Sequence, residues 1–236
     1  MWVDWCGGHY NDYYWPHLTG TIALRNDKYP IVFNSSCHGA RFDWELGECH
    51  CDSWLDGGTS HERPYFGAVA AYGNTRAAKV IRANCEDRYF FKAIYKWGIK
   101  TIGDVVNHGK LDLLKRYRFR DKKAMDLVFM GMIMGEPSTG VKTKPIRGLT
   151  VSHPTSLLSG STVCEVAVNE ANLLEPVAEA LVCLYREGVL HVAQMTGEDG
   201  VTVFDIDDTG SPGAGAIKLT VYERNFVTYQ YDLDVE

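Results

Sequence analysis

A chain of 236 residues, 45% hydrophobic and 23% charged, has the composition of a folded protein of one large domain or two modest ones, and is too apolar for extended disorder. Its 24 basic and 30 acidic residues leave a formal charge of -6, so neither nucleic acid nor an anionic membrane surface has an electrostatic reason to bind. No apolar run reaches the roughly eighteen residues of a membrane span; Leu127 to Met134 is too short and is interrupted by Gly131.

Trp2-Val3-Asp4-Trp5-Cys6 is short, apolar and aromatic and stops at Gly7-Gly8-His9, which predicts a strand followed by a tight turn. The glycines let the backbone turn sharply and approach a ligand closely, and His9 emerges on that turn. This start has no basic or apolar region of the kind that makes a signal peptide. The aromatic and polar stretch from Tyr10 to Asn26 is long enough for a crossover to a parallel neighbour. Tyr29-Pro30-Ile31-Val32-Phe33 then reads as a strand buried on both faces of a parallel sheet. Ser35-Ser36-Cys37-His38-Gly39 follows on the loop beyond its carboxyl end, the edge at which open α/β sheets bind ligands.

Phe42 to Leu55 carries helical spacing, broken by Gly47, and Gly57 to Ser60 is a loop. Phe66 to Tyr72 is a third buried strand, whose exit, Gly73-Asn74-Thr75-Arg76, reaches the same cleft. Apolar periodicity predicts helices over Ala77 to Trp97, Ile102 to Arg116 and Lys123 to Met134, stopped by the turn residues Gly135 to Gly140. From Ile146 the pattern changes to short alternating runs. Strands are expected at Ile146 to Ser152, Thr162 to Val168, Ala180 to Arg186, Val189 to Thr196, Val201 to Asp205, Ala216 to Tyr222 and Tyr229 to Val235. Hairpin turns are expected at Glu187-Gly188 and Asp199-Gly200. Two domains follow, an α/β domain over residues 1–140 and a β-sandwich over residues 146–236.

The seven cysteines are an odd number, so at least one thiol stays unpaired in a monomer. A cysteine peptidase needs a thiolate, an imidazole to generate it and protonate the leaving amine, and N–H groups for the oxyanion. Cys37 and His9 supply the first two by position, and the backbone N–H groups of Cys37 and Tyr10 are candidates for the third. Around them, Gly8, Tyr10, His38, Asn74, Thr75 and Arg76 are the candidate substrate-binding residues, and His17 is a second-choice base. Arg76 would either select an acidic substrate group or pair with a carboxylate. Tyr13, Tyr14 and Trp15 would line a groove or fill the core.

Cys49-His50-Cys51, with Cys6 and His9 elsewhere, raises a metal site, but structural zinc uses spaced pairs rather than alternation on one segment, so neither metal nor cofactor is expected. Asn34-Ser35-Ser36 matches a glycosylation acceptor by chance, since a glycan there would block the cleft. Asp205, Asp207 and Asp208 would bind calcium or form a solvated turn, and the solvated turn is the expectation.

Five motifs in one order resemble the gingipain family of cysteine peptidases. Gly8-His9 resembles the family's Gly-His turn, and Pro30 to Asp43 its strand, nucleophile and following segment. Gly67-Ala68-Val69-Ala70 with Gly73-Asn74-Thr75-Arg76 resembles the next strand and exit loop. Thr101-Ile102-Gly103 opens a helix as in the family, and Gly135-Glu136-Pro137 is similar to a Gly-Asp-Pro that closes the domain. The resemblance implies a caspase-like parallel sheet with flanking helices and an immunoglobulin-like sandwich behind it. It implies Cys37 as nucleophile and His9 as general acid/base of a thiol endopeptidase, acting on protein or peptide substrates outside the cell or at its surface.

Two departures stand out: Tyr10 replaces the family's usual Gly after the histidine, and the caspase-like sheet has strands upstream of the one that starts at Trp2. The chain therefore resembles the C-terminal part of a catalytic domain, N-terminally incomplete, plus the immunoglobulin-like module. From a different class, a non-catalytic surface or adhesion protein with a degenerate peptidase-like domain and a binding β-sandwich fits the same departures. The sequence sets no oligomeric state.

Overall fold

The computed structural model describes residues 2–4, 29–43, 49–56, 67–157, 163–205 and 215–235, with only the backbone of residues 2–4, 53 and 56. The chain divides into two units, Met1–Val141 and Lys142–Glu236. Among the described residues no helix is long and apolar enough to cross a membrane.

The first unit is built on a four-stranded sheet of β1 (Trp2–Asp4), β2 (Ile31–Asn34), β3 (Ala70–Asn74) and β4 (Gly131–Gly135), in that order. The first three strands are parallel and β4 is antiparallel to β3. Asp4 pairs with Asn34 and Asn34 with Gly73, so the three parallel strands finish level at their carboxyl ends. Every residue of β2 and β3 is buried, as a sheet covered on both faces requires.

Among the described residues four helices flank the sheet: α1 (His50–Asp56), α2 (Val80–Tyr95), α3 (Ile102–Tyr117) and α4 (Lys122–Met130). Alternation along the strands feeds two cores. Ile31, Phe33, Ala70 and Tyr72 pack on Phe90, Ala93 and Ile94 of α2 and on Ile102, Val105 and Val106 of α3, with Ile133 of β4 beside them. Val32 and Ala71, on the other face, pack with Cys49, Cys51 and Trp54 at α1 and with Met132 and Met134 of β4. Thr101 caps α3 by accepting from the Asp104 N–H, and Asp121 caps α4 by accepting from the Ala124 N–H, which satisfies donors that a helix start leaves open. The segments Thr101 to Gly103 and Gly135 to Pro137 meet, because the Gly103 N–H donates to the Pro137 carbonyl at 2.9 Å.

Three expectations for this unit need correction. The helix expected over Phe42 to Leu55 begins only at His50, with Phe42 and Asp43 on a turn. Lys123 to Met134 is not one helix: α4 ends at Met130 and the chain passes directly into β4. The close approach of Tyr72 explains the break, since a Cβ on Gly131 would overlap the Tyr72 hydroxyl. The third strand also begins later than expected and runs through Gly73 and Asn74 instead of ending at Tyr72. Gly73 belongs inside it because a Cβ there would stand 2.7 Å from the Cys51 sulfur.

The second unit holds β5 (Leu149–Ser152), β6 (Ser156–Leu157), β7 (Val163–Glu170), β8 (Leu181–Arg186), β9 (Leu190–Met195), β10 (Val201–Asp205), β11 (Gly215–Tyr222) and β12 (Tyr229–Val235). They form a three-stranded sheet, β10-β7-β5, and a five-stranded sheet, β6-β12-β11-β8-β9. Alternate residues of both, among them Cys164, Val166, Val168, Val182, Leu184, Ile217, Leu219, Val221 and Leu233, share one core with Phe204 and Phe226. The two-residue β6 is additional to the seven strands read from the sequence. Gly188 turns β8 into β9 with φ 69°. Asp199-Gly200 does not close a hairpin, because β9 and β10 belong to different sheets; it carries the chain from one sheet to the other. The six described cysteines are all free thiols.

Candidate active site

β2 delivers Cys37 to the carboxyl edge of the parallel sheet, three residues beyond Asn34. The turn that carries it is tied down from several sides. The Ala40 N–H donates to the Asn74 carbonyl at 3.0 Å, and the His38 N–H to the Arg76 carbonyl at 3.2 Å. The Cys51 N–H, at α1, donates to the Gly39 carbonyl at 2.9 Å. Asn34 is 1% exposed and holds the turn from within: its Oδ1 accepts from the Ser36 N–H at 2.8 Å and from the Ser36 hydroxyl, and its amide meets His50 Nδ1 at 2.6 Å. Gly39 makes room for that side chain, since a Cβ there would lie 2.7 Å from Asn34 Nδ2. An asparagine so enclosed is no glycan acceptor.

The half-buried Cys37 sulfur lies against the backbone of Ala78, accepting from its N–H at 3.3 Å and standing 3.4 Å from its carbonyl oxygen. Among the described residues the Cys37 N–H meets no acceptor. His38 adopts a left-handed backbone, φ 61°, uncommon for a residue with a side chain and found where surrounding structure enforces it.

Of the residues singled out in the sequence, Cys37, His38, Asn74, Thr75 and Arg76 come together here. Asn74 is fully buried and its amide donates to the Ser36 carbonyl at 3.4 Å, so it supports the turn from beneath. The Thr75 N–H donates to the Met130 carbonyl at 3.0 Å. Arg76 makes a bidentate pair with Asp43, at 3.0 and 2.6 Å, which lowers the Asp43 pKa through the guanidinium hydrogen bonds. The guanidinium is thus paired within the chain. Gly8, His9, Tyr10 and the second-choice base His17 lie outside the described residues, as do Cys6 and the Tyr13 to Trp15 group; the level strand ends show only that β1 finishes beside Asn34.

Burial pushes the Cys49 thiol up to about 12 and the Cys51 thiol well above its ordinary value, so both stay protonated in the fold. Among the described residues no group of three or more His, Cys, Asp or Glu is placed to hold a metal.

Behind the turn lie two carboxyls that the sequence reading passed over. Asp87 of α2 accepts a hydrogen bond from the Ser35 hydroxyl, and burial raises its pKa to about 6, with the Ser35 bond opposing the rise. Its neighbour Glu86 is fully buried beneath Tyr72, and burial raises it to about 8 against the favourable influence of the Tyr72 hydroxyl and the Lys110 charge. The signal was present: Ala83, Glu86 and Phe90 fall on one helical stripe, so the amphipathic pattern of α2 carries an acid on its apolar face.

A family model for peptidase family C25 matches residues 2–142, and the chain belongs to that family. Its fold is similar to that of the Arg-specific cysteine proteinase gingipain R (RgpB), with 20% identity and a TM-score of 0.71 over 88% of this chain and 46% of that one. It is also similar to a complex of Porphyromonas gingivalis RgpB pro- and mature domains, with 21% identity and a TM-score of 0.73 over 92% of this chain and 49% of that one. A third structure, described as a protease, shares 16% identity with a TM-score of 0.70 over 92% of this chain and 49% of its own. The chain spans about half the length of these structures. No curated protein matches it.

Proposed function

We propose that the chain is a cysteine endopeptidase in which Cys37 attacks the peptide carbonyl and His9 acts as general base toward the thiol and then as general acid toward the leaving amine. Water, activated by the same imidazole, then attacks the thioester, breaking its C–S bond to give the carboxylic acid product and the free Cys37 thiol. The observation that carries this is the braced turn: Cys37 stands at the carboxyl end of β2, level with the end of β1, from which the chain runs on toward His9. The Cys37 N–H, without an acceptor among the described residues, fits an oxyanion donor, with the Tyr10 N–H as its partner. Gly8, Tyr10, His38, Thr75 and Arg76 border the substrate, while Asn74, expected among them from the sequence, is fully buried and does not reach it. Asn74 acts by bracing the turn, and the Asp43 pair holds Arg76 in place instead of leaving it free for substrate charge.

On the same proposal residues 1–140 form a partial caspase-like domain and residues 146–236 an immunoglobulin-like sandwich, the substrates are proteins or peptides, and the protein works outside the cell or at its surface. Family membership and the two-sheet core of the second unit support this. The test is labelling by a thiol-reactive peptidyl ketone in the parent chain, Cys37→Ala and His9→Ala. Label is expected on the parent alone at speed, with none on residue 37 of Cys37→Ala and a rate on the order of 10²-fold lower for His9→Ala. A parent that labels no faster than His9→Ala sinks the dyad and favours the non-catalytic surface protein.

A further inference from the structure

Ser35 stands two residues ahead of Cys37, and its hydroxyl ends on a carboxylate 52 residues away in the chain, Asp87 of α2. Ser35 is 2% exposed, so this bond is made in the protein interior. The other ties on the turn come from β3 and α1 through backbone groups, Asn34 and Asn74. Asp87 adds an anchor from the opposite face of the sheet. Hydrogen bonds to an ionised acceptor are about twice as strong as neutral ones, and a half-buried carboxylate is expensive to keep unless its bonds return something.

We propose that Asp87 is a positioning residue for Cys37: by holding the Ser35 hydroxyl it fixes the backbone of the nucleophile turn, and with it the bearing of the Cys37 sulfur toward the substrate carbonyl. This rests on Cys37 being the nucleophile. Asp87 touches neither the sulfur nor the substrate. The groups that face it are Ser35 from the turn, Tyr72 from β3, and Glu86 on its own helix, which lies in turn under the charge of Lys110 from α3. Glu86, raised to about 8 chiefly by burial and in part by the Asp87 charge beside it, keeps its proton over the range in which Asp87 titrates. As pH falls through that lower value Asp87 takes up a proton, the bond from Ser35 loses its charge assistance, and the turn is held less firmly.

The experiment compares the full-length parent with Asp87→Ala, Asp87→Asn and Ser35→Ala. Two rates are followed at the Cys37-bearing peptide by mass spectrometry, one with a peptidyl ketone and one with iodoacetamide, between about pH 5 and 8. A misplaced nucleophile loses reactivity toward an oriented reagent steeply, so the peptidyl rate is expected to fall on the order of tenfold or more in Asp87→Ala and Ser35→Ala while the iodoacetamide rate stays within about threefold. Asp87→Asn, which keeps an acceptor oxygen, is expected to recover most of the peptidyl rate and to lose the component of the pH profile near 6.

Amide exchange over residues 31–43 is measured beside the rates, and is expected to speed up in Asp87→Ala and Ser35→Ala whether or not the parent is an active peptidase. Faster exchange with no peptidyl labelling of the parent overturns the peptidase assignment and with it the catalytic consequence, while leaving the anchor in place. Unchanged exchange and a peptidyl rate within twofold of the parent in the folded Ser35→Ala and Asp87→Ala chains, with a pH profile in Asp87→Asn that matches the parent's, overturns the positioning role itself.

Discussion

Glu86 concentrates in one side chain the tension between packing and ionisation. It occupies a position where helical periodicity demands an apolar residue, fully buried with the Tyr72 hydroxyl as its polar neighbour. Folding therefore favours the protonated acid. Its folded pKa of about 8 stands above the ordinary value of 4.5, so the stabilisation is complete at acid pH and is lost as pH rises toward 8, while the unfolded chain ionises freely. Replacing it by glutamine removes that proton from the balance. The urea midpoint of the parent is expected to fall between pH 5 and 8 by the equivalent of a few kcal/mol more than that of Glu86→Gln. Equal slopes in the two proteins would show that Glu86 titrates normally in the fold.

Gly109 shows how an element can be set by what it packs against. Glycine inside a helix costs about 1 kcal/mol relative to alanine, so α3 gives up stability there. The reason is Phe90 of α2: a Cβ at position 109 would overlap the phenyl ring, which itself packs edge-on to Tyr72 with ring centroids 4.8 Å apart. Overpacking of a close interior typically costs about 1–3 kcal/mol, which outweighs the gain in propensity. Gly109→Ala is thus expected to lower the denaturation midpoint, by the equivalent of about 1 kcal/mol. A higher midpoint would mean that α2 and α3 separate at little cost.

Across the whole molecule, what periodicity governs was legible and what depends on a partner distant in sequence was not. The alternating strands of the second unit and the long helices α2 and α3 declared themselves because each buries one face against a common core. At the site, the strand of Ile31 to Asn34 and the placement of Cys37 at its end followed from a doubly buried β-branched run meeting small polar residues. The Asp43 partner of Arg76, the Asp87 partner of Ser35 and the asparagine bracing of the turn did not, since each joins side chains brought together only by the folded sheet. The misjudged end of α4 has the same cause: Gly131 is a strand residue because Tyr72, fifty-nine positions earlier, arrives beside it.

That junction also bears on how the length of this chain can vary through descent. Helix passes into strand between Met130 and Gly131 with no spare residue, and β4 then sends Met132 and Met134 to one core and Ile133 to the other. One added residue would turn the strand over, handing each side chain to the wrong face. An insertion between Met130 and Gly131 is therefore expected to abolish soluble folding, whereas the same insertion beside Ser138, on the exposed turn after β4, is expected to leave a cooperatively melting protein. Inherited gains and losses of length would then gather in such turns, and the spacing from α4 to β4 would pass unaltered from parent to descendant.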